Sequence, residues 1–321
     1  MADPVVLSLG SVNVDFQVRL GRQPEVGETL LGHDFVRLGG GKAANVAVLA
    51  RKAGHPAVLL AQVGDDVMSG WALDPLRAHG VDLDHVGTVE GALPGVAMIA
   101  VPPDGKKMIV LAANANGSWD DADARRIERA IGRAPPGSVL VVDYEVPGFV
   151  VERATAEARA RGFTTVLDPS PSDRVERHLL SRIDVVVPNP KEAEGVTGIR
   201  VDGVAGAREA AGRLLDDGAG AACMKLADGG CVVVGADIAA HVVPLEVEVD
   251  DATGAGDAFA GGLAVALLEK KPLVDAACFA TAASHIAVTG YGSQPAYPGR
   301  ERQDGVFEQL RARVRPLSRP S

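Results

Sequence analysis

The sequence predicts an α/β fold: a mainly parallel sheet layered with helices, and a small second β-sheet beside it. Three observations predict it. From residue 139 onward, short apolar runs of strand length alternate with helix-period segments. Two regions, roughly 13–38 and 95–112, break that rhythm with strand patterns and no intervening helix. The composition is rich in small residues, with 38 glycines and only 4% aromatics within 47% hydrophobic, which suits backbones laid closely on one another.

Each element has a local reason. Val5–Gly10 is a continuous apolar run ended by glycine, a buried strand. In the following GSVNVD segment, Asn13 and Asp15 stand one strand period apart and share a face. Residues 28–38 alternate weakly, as a half-exposed strand does, and Gly39–Gly41 reads as a turn. KAANVAVLARKA, residues 42–53, has helical period and stops at Gly54. Ala57–Val63 reads as a strand, and 65–80 as a helix with a glycine stop. Val96–Val101 and Lys107–Leu111 flank Pro102-Pro103-Asp104-Gly105, a hairpin signal. Strands are then expected at 139–142, 165–167, 184–187, 221–226 and 232–234, with one more ending near Val249. Helices are expected at 148–161, 191–197, 203–217, 255–269, 273–288 and, amphipathic and exposed, from Gly299 toward Arg315. The tail after Arg313 is expected to fray. The main layers thus comprise 1–12, 39–94 and 113–321, and the small sheet 13–38 and 95–112.

Charge and cysteine content exclude several classes. The net charge is −10 with no basic stripe, which argues against nucleic acid as a partner. Three cysteines, Cys223, Cys231 and Cys278, form no Cys-x-x-Cys and fit a reducing cytoplasm. Seven scattered histidines give no zinc spacing. The start MADPVVLSLG lacks the basic and long apolar regions of a signal peptide, and no apolar run approaches the ~20 residues that span a bilayer.

The chemistry concentrates in Val249–Gly262, VDDATGAGDAFAGG. A glycine-rich turn at a helix start presents backbone N–H groups to an anion, with the helix dipole behind them. Asp257 follows at once, and a carboxylate beside an anion hole can take the proton of an attacking hydroxyl. The bland alternative is an acid that only complements the dipole. Gly39-Gly40-Gly41-Lys42-Ala43-Ala44 also satisfies Gly-x-Gly-x-x-Ala before a helix, the mark of a dinucleotide-dependent oxidoreductase. That fingerprint expects to follow the first strand, which here ends at Gly10. A Walker-type ATPase fails because Ala43, not Ser or Thr, follows Lys42. A non-catalytic sugar or nucleotide sensor on the same fold is the remaining rival.

Asp251-Ala252-Thr253-Gly254-Ala255-Gly256-Asp257, together with Gly40-Gly41-Lys42-Ala43-Ala44-Asn45 earlier in the chain, resembles the two signatures of the ribokinase, or PfkB, family of carbohydrate kinases. The resemblance runs from about Val5 to Pro298. It implies a ribokinase-like three-layer sandwich with a β-sheet lid, ATP-dependent phosphorylation of a sugar primary hydroxyl, and Asp257 as general base. The N–H groups of Gly254, Ala255 and Gly256 would form the anion hole. Asn13, Asp15, Gly41, Lys42, Asn45 and Glu145 would contact the sugar. Asn189 and Glu192, in VPNPKE, would organise Mg²⁺, although their spacing also fits a helix capping box. ATP would lie along Lys225–Gly230, contacting Lys225, Leu226, Ala227 and Gly230 as well as Asn189 and Gly256, and along helix 278–288. Asp251 with the carbonyls of Thr253, Ala287, Gly290 and Gly292 would hold K⁺.

This chain departs from the family pattern at two places. Lys225 and Ala227 stand where Thr and Gly are usual, and Ala296 stands where a Ser is usual. The set Asn13, Asp15, Lys42, Asn45 and Glu145 matches the pattern for ribose better than that for nucleosides or phosphosugars; fructose, another pentose or a nucleoside remain alternatives. A homodimer through the lid sheet is expected by the same resemblance.

Overall fold

In the computed structural model, residues 3–103 and 107–318 are described. The strands are β1 (Val6–Leu9), β2 (Asn13–Leu20), β3 (Gly32–Gly40), β4 (Ala57–Gly64), β5 (Val86–Val89), β6 (Gly95–Val101) and β7 (Met108–Ala112). Further along come β8 (Val139–Val142), β9 (Thr164–Leu167), β10 (Val185–Val186), β11 (Ala221–Lys225), β12 (Cys231–Gly235), β13 (Ile238–Val242) and β14 (Val314–Pro316). The helices are α1 (Lys42–Lys52), α2 (Val67–Ala78), α3 (Asp121–Arg133), α4 (Gly148–Ala160), α5 (Pro190–Thr197), α6 (Val204–Asp216), α7 (Ala255–Leu268), α8 (Leu273–Ala287) and α9 (Arg300–Arg311).

Among the described residues, ten strands form one sheet in the order β14-β13-β12-β11-β10-β9-β8-β1-β4-β5. The run from β5 to β11 is parallel, and β12 to β14 close it antiparallel. Strand residues alternate between two cores, as a two-residue period demands. Val139 and Val141 pack with α1, α7 and α8; Leu140 and Val142 pack with α3, α4 and α6. The three layers follow from that alternation. The small sheet has the order β3-β2-β6-β7, with β2 and β6 parallel and the outer pairs antiparallel.

The first strand lies inside the large sheet, third from its β5 edge. The chain leaves β1 toward β4 on one side and later fills β8 on the other. Ligand sites in open α/β sheets gather at such a switch point, beyond the carboxyl ends of the strands. Segments leaving β1, β8, β9, β10 and β11 therefore converge on one crevice.

Several expectations are corrected. Gly39 and Gly40 end β3, and only Gly41 turns, with φ of 95°. No strand ends near Val249: β13 stops at Val242, and 243–249 has no regular structure. The tail does not fray at once; Val314–Pro316 pairs with β13 as an edge strand, and α9 ends at Arg311. Helix α3 was not foreseen. Its exposed face is crowded with charge, and only Ala124, Ile127, Ala130 and Ile131 are buried, but Asp120 and Asp123 form a full capping box. The 95–112 hairpin strands pair as expected, whereas its turn residues Asp104 and Gly105 lie outside the described residues.

Candidate active site

The crevice is a cavity of about 1170 Å³ between the large sheet's carboxyl edge and the inner face of the small sheet. That exceeds an ordinary small-ligand pocket, which suits two ligands side by side. Asn13, Asp15, Gly256, Asp257, His285 and Arg313 are among the residues that line it.

Asp257 lies in the first turn of α7 and is 8% exposed. Its Oδ2 accepts from Asn45 Nδ2 at 2.7 Å, and its Oδ1 lies 3.4 Å from Lys42 Nζ. Gly254 caps the helix in the left-handed region, φ 74°, where a side chain is strained. A Cβ there would also sit 2.6 Å from Ser293 Cβ and 2.6 Å from Tyr297 Oη. The glycine is thus required by conformation and by space. Of the three expected anion donors, Ala255 N–H is turned back on Ala252 O at 3.3 Å. Gly254, Ala255 and Gly256 all line the cavity.

The small sheet brings the polar pair. Asn13 Oδ1 accepts from Asn116 Nδ2 at 2.8 Å, which fixes the orientation of its amide. Asp15 is buried, and its pKa is raised to about 7 by burial and by the charges of Asp257 and Glu145. Gly40, on the neighbouring strand, leaves room for it: a Cβ at residue 40 would lie 2.1 Å from Asp15 Oδ2. Gly41 and Lys42 open α1, and Lys42 N–H donates to Ser11 Oγ at 2.9 Å.

Lys42 Nζ reaches Asp168 Oδ2 at 3.0 Å. Burial works against its charge, but Asp168, Asp257, Glu192 and Glu145 outweigh it and hold the pKa well above the usual lysine range. Burial would raise Asp168 as well; Lys42 and Lys225 bring it down instead. Glu145 is raised, mainly by burial, and its Oε2 is buried without a hydrogen-bond partner, as is Asp168 Oδ1. Buried acceptors left unpaired cost free energy unless a ligand supplies donors. A hydroxylated ligand or a hydrated divalent cation supplies such donors or charge, so these residues fit both.

Asn189 and Glu192 form the capping box of α5: Asn189 Oδ1 accepts from Glu192 N at 2.9 Å, and Glu192 Oε2 accepts from Asn189 N at 2.7 Å. Lys225 Nζ stands 3.8 Å from Glu192 Oε2. A Cβ on Gly256 would lie 3.5 Å from the same ammonium. Lys225 therefore joins the motif on α5 to the head of α7. Beyond it, Leu226–Gly230 folds into a tight turn closed by Leu226 N to Gly230 O at 2.8 Å, with Ala227 on the cavity wall and Gly229 against His285 of α8.

Behind the cavity, the loop 250–253 meets the loop after α8. Asp250 N donates to Val288 O at 2.8 Å. Asp251 is fully buried; its Oδ1 accepts from Thr253 N at 2.8 Å, and its Oδ2 from Gln17 Nε2 at 2.6 Å and Gly292 N at 2.9 Å. A carboxylate has about four acceptor directions. Three are taken, which leaves one open; of the carbonyls expected beside it, those of Thr253, Ala287, Gly290 and Gly292, the Ala287 oxygen already accepts from Gly290 N at 3.4 Å. The donor set is all oxygen and fits a monovalent cation held mainly by carbonyls; Ala296 adds no hydroxyl.

The structure thus brings Asn13, Asp15, Gly41, Lys42, Asn45, Glu145, Asn189, Lys225 and Asp257 to one crevice. It also places there residues that sequence reasoning missed. Asp143 bonds Ser11 N and Glu145 N, and Asp168 pairs with Lys42. Both follow the ends of strands, the signal that singled out Glu145. Lys107 was missed as well: it stands just before β7, and its Nζ donates to Ala252 O at 3.0 Å.

A model of the pfkB family of carbohydrate kinases matches residues 4–300. The chain belongs to that family. It is 33% identical to the ribokinase of Haemophilus influenzae, over 91% of this chain and 95% of the relative. It is 30% identical to the deoxyribokinase of Salmonella typhi, over 92% and 95%. Its fold superposes on Arabidopsis thaliana ribokinase complexed with ribose and ATP with a TM-score of 0.81 and 27% identity, covering 96% of this chain and 99% of that one. The layered α/β fold with a small lid sheet is the ribokinase-like fold, and the chain is an ATP-dependent carbohydrate kinase.

Proposed function

We propose that the protein phosphorylates D-ribose at its primary hydroxyl, giving ribose 5-phosphate and ADP, with Asp257 as the general base. One observation carries the reading: the Asp257 carboxylate stands at the head of α7, between the Asn45 amide and the Lys42 ammonium, in the same cavity as Asn13 and Asp15. The sugar end offers Asn13, Asp15, Gly41, Lys42, Asn45 and Glu145. Asn supplies donor and acceptor, and the carboxylates supply acceptors, which matches a ligand made of hydroxyls. Asp257 takes the hydroxyl proton as the oxygen attacks the γ-phosphorus in line. Gly254, Ala255 and Gly256 offer N–H groups and a helix dipole to the charge that develops, and Lys42 adds its ammonium.

ATP extends from Gly256 past Lys225, Leu226, Ala227 and Gly230 toward α8. A magnesium ion bound with ATP would neutralise phosphate charge; Asn189 and Glu192 would hold it through water, near the open oxygen of Asp168. A potassium ion would rest on Asp251 and the carbonyls of Thr253, Ala287, Gly290 and Gly292. The inner face of the lid sheet, with Ala97, Ile99, Ile109 and Leu111, would exclude competing water.

The outer face supports a homodimer. Met98 and Val110 are directly paired across β6 and β7 and are 63% and 68% exposed. Phe16 and Phe35 stack nearby with ring centroids 6.2 Å apart. An exposed apolar sheet face with an open edge invites a second copy. The three cysteines are all free and buried, which suits a reducing cytoplasm. Among the described residues, no helix is long and apolar enough to cross a membrane.

The test is a panel of ribose, deoxyribose, fructose, other pentoses and nucleosides with ATP, Mg²⁺ and K⁺, reading ADP release. Ribose as the substrate of highest kcat/KM supports the reading. A different best sugar moves the specificity and leaves the chemistry standing; no turnover with any acceptor would remove it.

A further inference from the structure

Lys107 occupies a position that the proposed reaction does not yet use. It stands one residue before β7 of the small sheet, and its ammonium reaches the loop that leads into α7. There Ala252 O accepts two donors: Lys107 Nζ at 3.0 Å and Ala255 N–H at 3.3 Å. The ammonium bond is the shorter and is charge-assisted, so it is the stronger of the two. Ala255 N–H belongs to the first turn of α7, where backbone donors lack a partner within the helix. Its acceptor in this loop is the oxygen that Lys107 already engages.

The sheet connects this contact to the sugar end. β7 pairs with β6 through five register pairs, and β6 pairs with β2, which carries Asn13 and Asp15. Strands joined by continuous hydrogen bonds move together. The small sheet therefore ties the Lys107–Ala252 O contact to the strand that carries Asn13 and Asp15. Around the ammonium stand Asp257, Asp251 and Asp15 as attracting charges and Lys42 as a repelling one; burial lowers its pKa.

We propose that Lys107 is a positioning residue that links the small sheet at the sugar end to the anion-binding turn: by competing for Ala252 O, it loosens the hold on the Ala255 N–H and makes that donor available to the phosphoryl group. The inference rests on the kinase reading above and extends it to the control of that site. The sheet that carries Asn13 and Asp15 would then also set the readiness of the anion hole, so that an unseated sheet leaves ATP without its full set of donors.

The experiment uses the full-length protein and the variants Lys107→Met, Lys107→Gln and Lys107→Arg. Steady-state kinetics give kcat and both KM values. Calorimetry with the imido analogue of ATP, with and without D-ribose, gives the coupling between the two ligands. In the wild type, ribose is expected to tighten the analogue. In Lys107→Met and Lys107→Gln, kcat is expected to fall on the order of 10–100-fold, part of the effect of removing one oxyanion donor. ATP KM should stay within about threefold, and the ribose-driven tightening should vanish. Lys107→Arg should restore most of both. Unchanged kcat in both neutral variants overturns the proposal. So does lost kcat with intact coupling, or an arginine variant as impaired as methionine. Absence of turnover in the wild type would instead sink the kinase reading. The calorimetric arm needs no turnover and still judges the latch, with the panel's tightest-binding acceptor in place of ribose.

Discussion

Asn45 Nδ2 donates to Asp257 Oδ2 at 2.7 Å, and so fixes which carboxylate oxygen is left to face Lys42 and an incoming hydroxyl. Asn45 is in turn held by Gln294 Nε2, which donates to its Oδ1 at 3.0 Å. The carboxylate is thus oriented before any substrate arrives. Asp257→Asn keeps the shape and removes the proton acceptor. It is expected to lower kcat by about 10²- to 10⁴-fold, the usual worth of a general base, and to leave sugar affinity within a few-fold. Steady-state kinetics with calorimetry of sugar binding checks this. Lost binding with normal turnover would contradict the assignment.

Asp15 lines the cavity and is one of the sugar contacts in the proposed reading. Asp15→Ala removes a charged acceptor from a ligand hydroxyl, a loss of about 1.5–3 kcal/mol. The sugar KM should therefore rise about 10- to 100-fold, with ATP KM within twofold. An unchanged sugar KM would take Asp15 out of the pocket.

The raised pKa of Asp15 also has a consequence for stability. Burial, then Asp257 and Glu145, raise it from 3.8 to about 7 in the fold. Between about pH 4 and pH 7 the folded chain holds a proton that the unfolded chain has released, so stability falls as pH rises through that window. The ligand-free protein should lose Tm from pH 5 to pH 8, and Asp15→Asn should flatten that decline. Asp143, Glu145 and Glu192 are raised in the same sense, so some slope persists. Identical Tm profiles for the two proteins would count against the raised pKa of the buried Asp15.

Lys225 stands 3.8 Å from Glu192 and beside Gly256, where a threonine is usual in the family. Lys225→Thr withdraws an ammonium from the proposed path of the phosphates. ATP KM is expected to rise about tenfold, as loss of one charge-assisted contact implies, with sugar KM little changed. A variant with wild-type ATP KM would show that Lys225 serves the α5 motif alone.

Val110→Glu places a charge on the apolar outer face of the lid, opposite Met98. Light scattering should show the wild type as a dimer and the variant shifted to monomer at micromolar concentration. A wild-type monomer would dismiss the interface.

Much of the fold was legible because local pattern and burial agree. β1, β8 and β11 are apolar runs broken only by Ser8 and by the terminal Lys225, and every residue but Lys225 is buried. Helix α7 was legible from a glycine-rich entry followed by apolar period. Helix α3 was not, because a high charge density hides four buried positions. The segment before Asp250 misled for the opposite reason. Its alternating Leu245, Val247 and Val249 imitate a strand, but no partner strand reaches it and it lines the cavity instead.

The sequence by itself determined the chemistry available at the head of α7: a glycine turn, three small residues and a carboxylate, whose meaning depends only on near neighbours in the chain. Only the tertiary structure decided what surrounds that carboxylate. Asn45 lies 212 positions away, Lys42 215, and Lys107 reaches Ala252 across 145. Such pairings follow from strand order and sheet register, which are set by burial over the whole chain, and periodicity within any one segment carries no record of them.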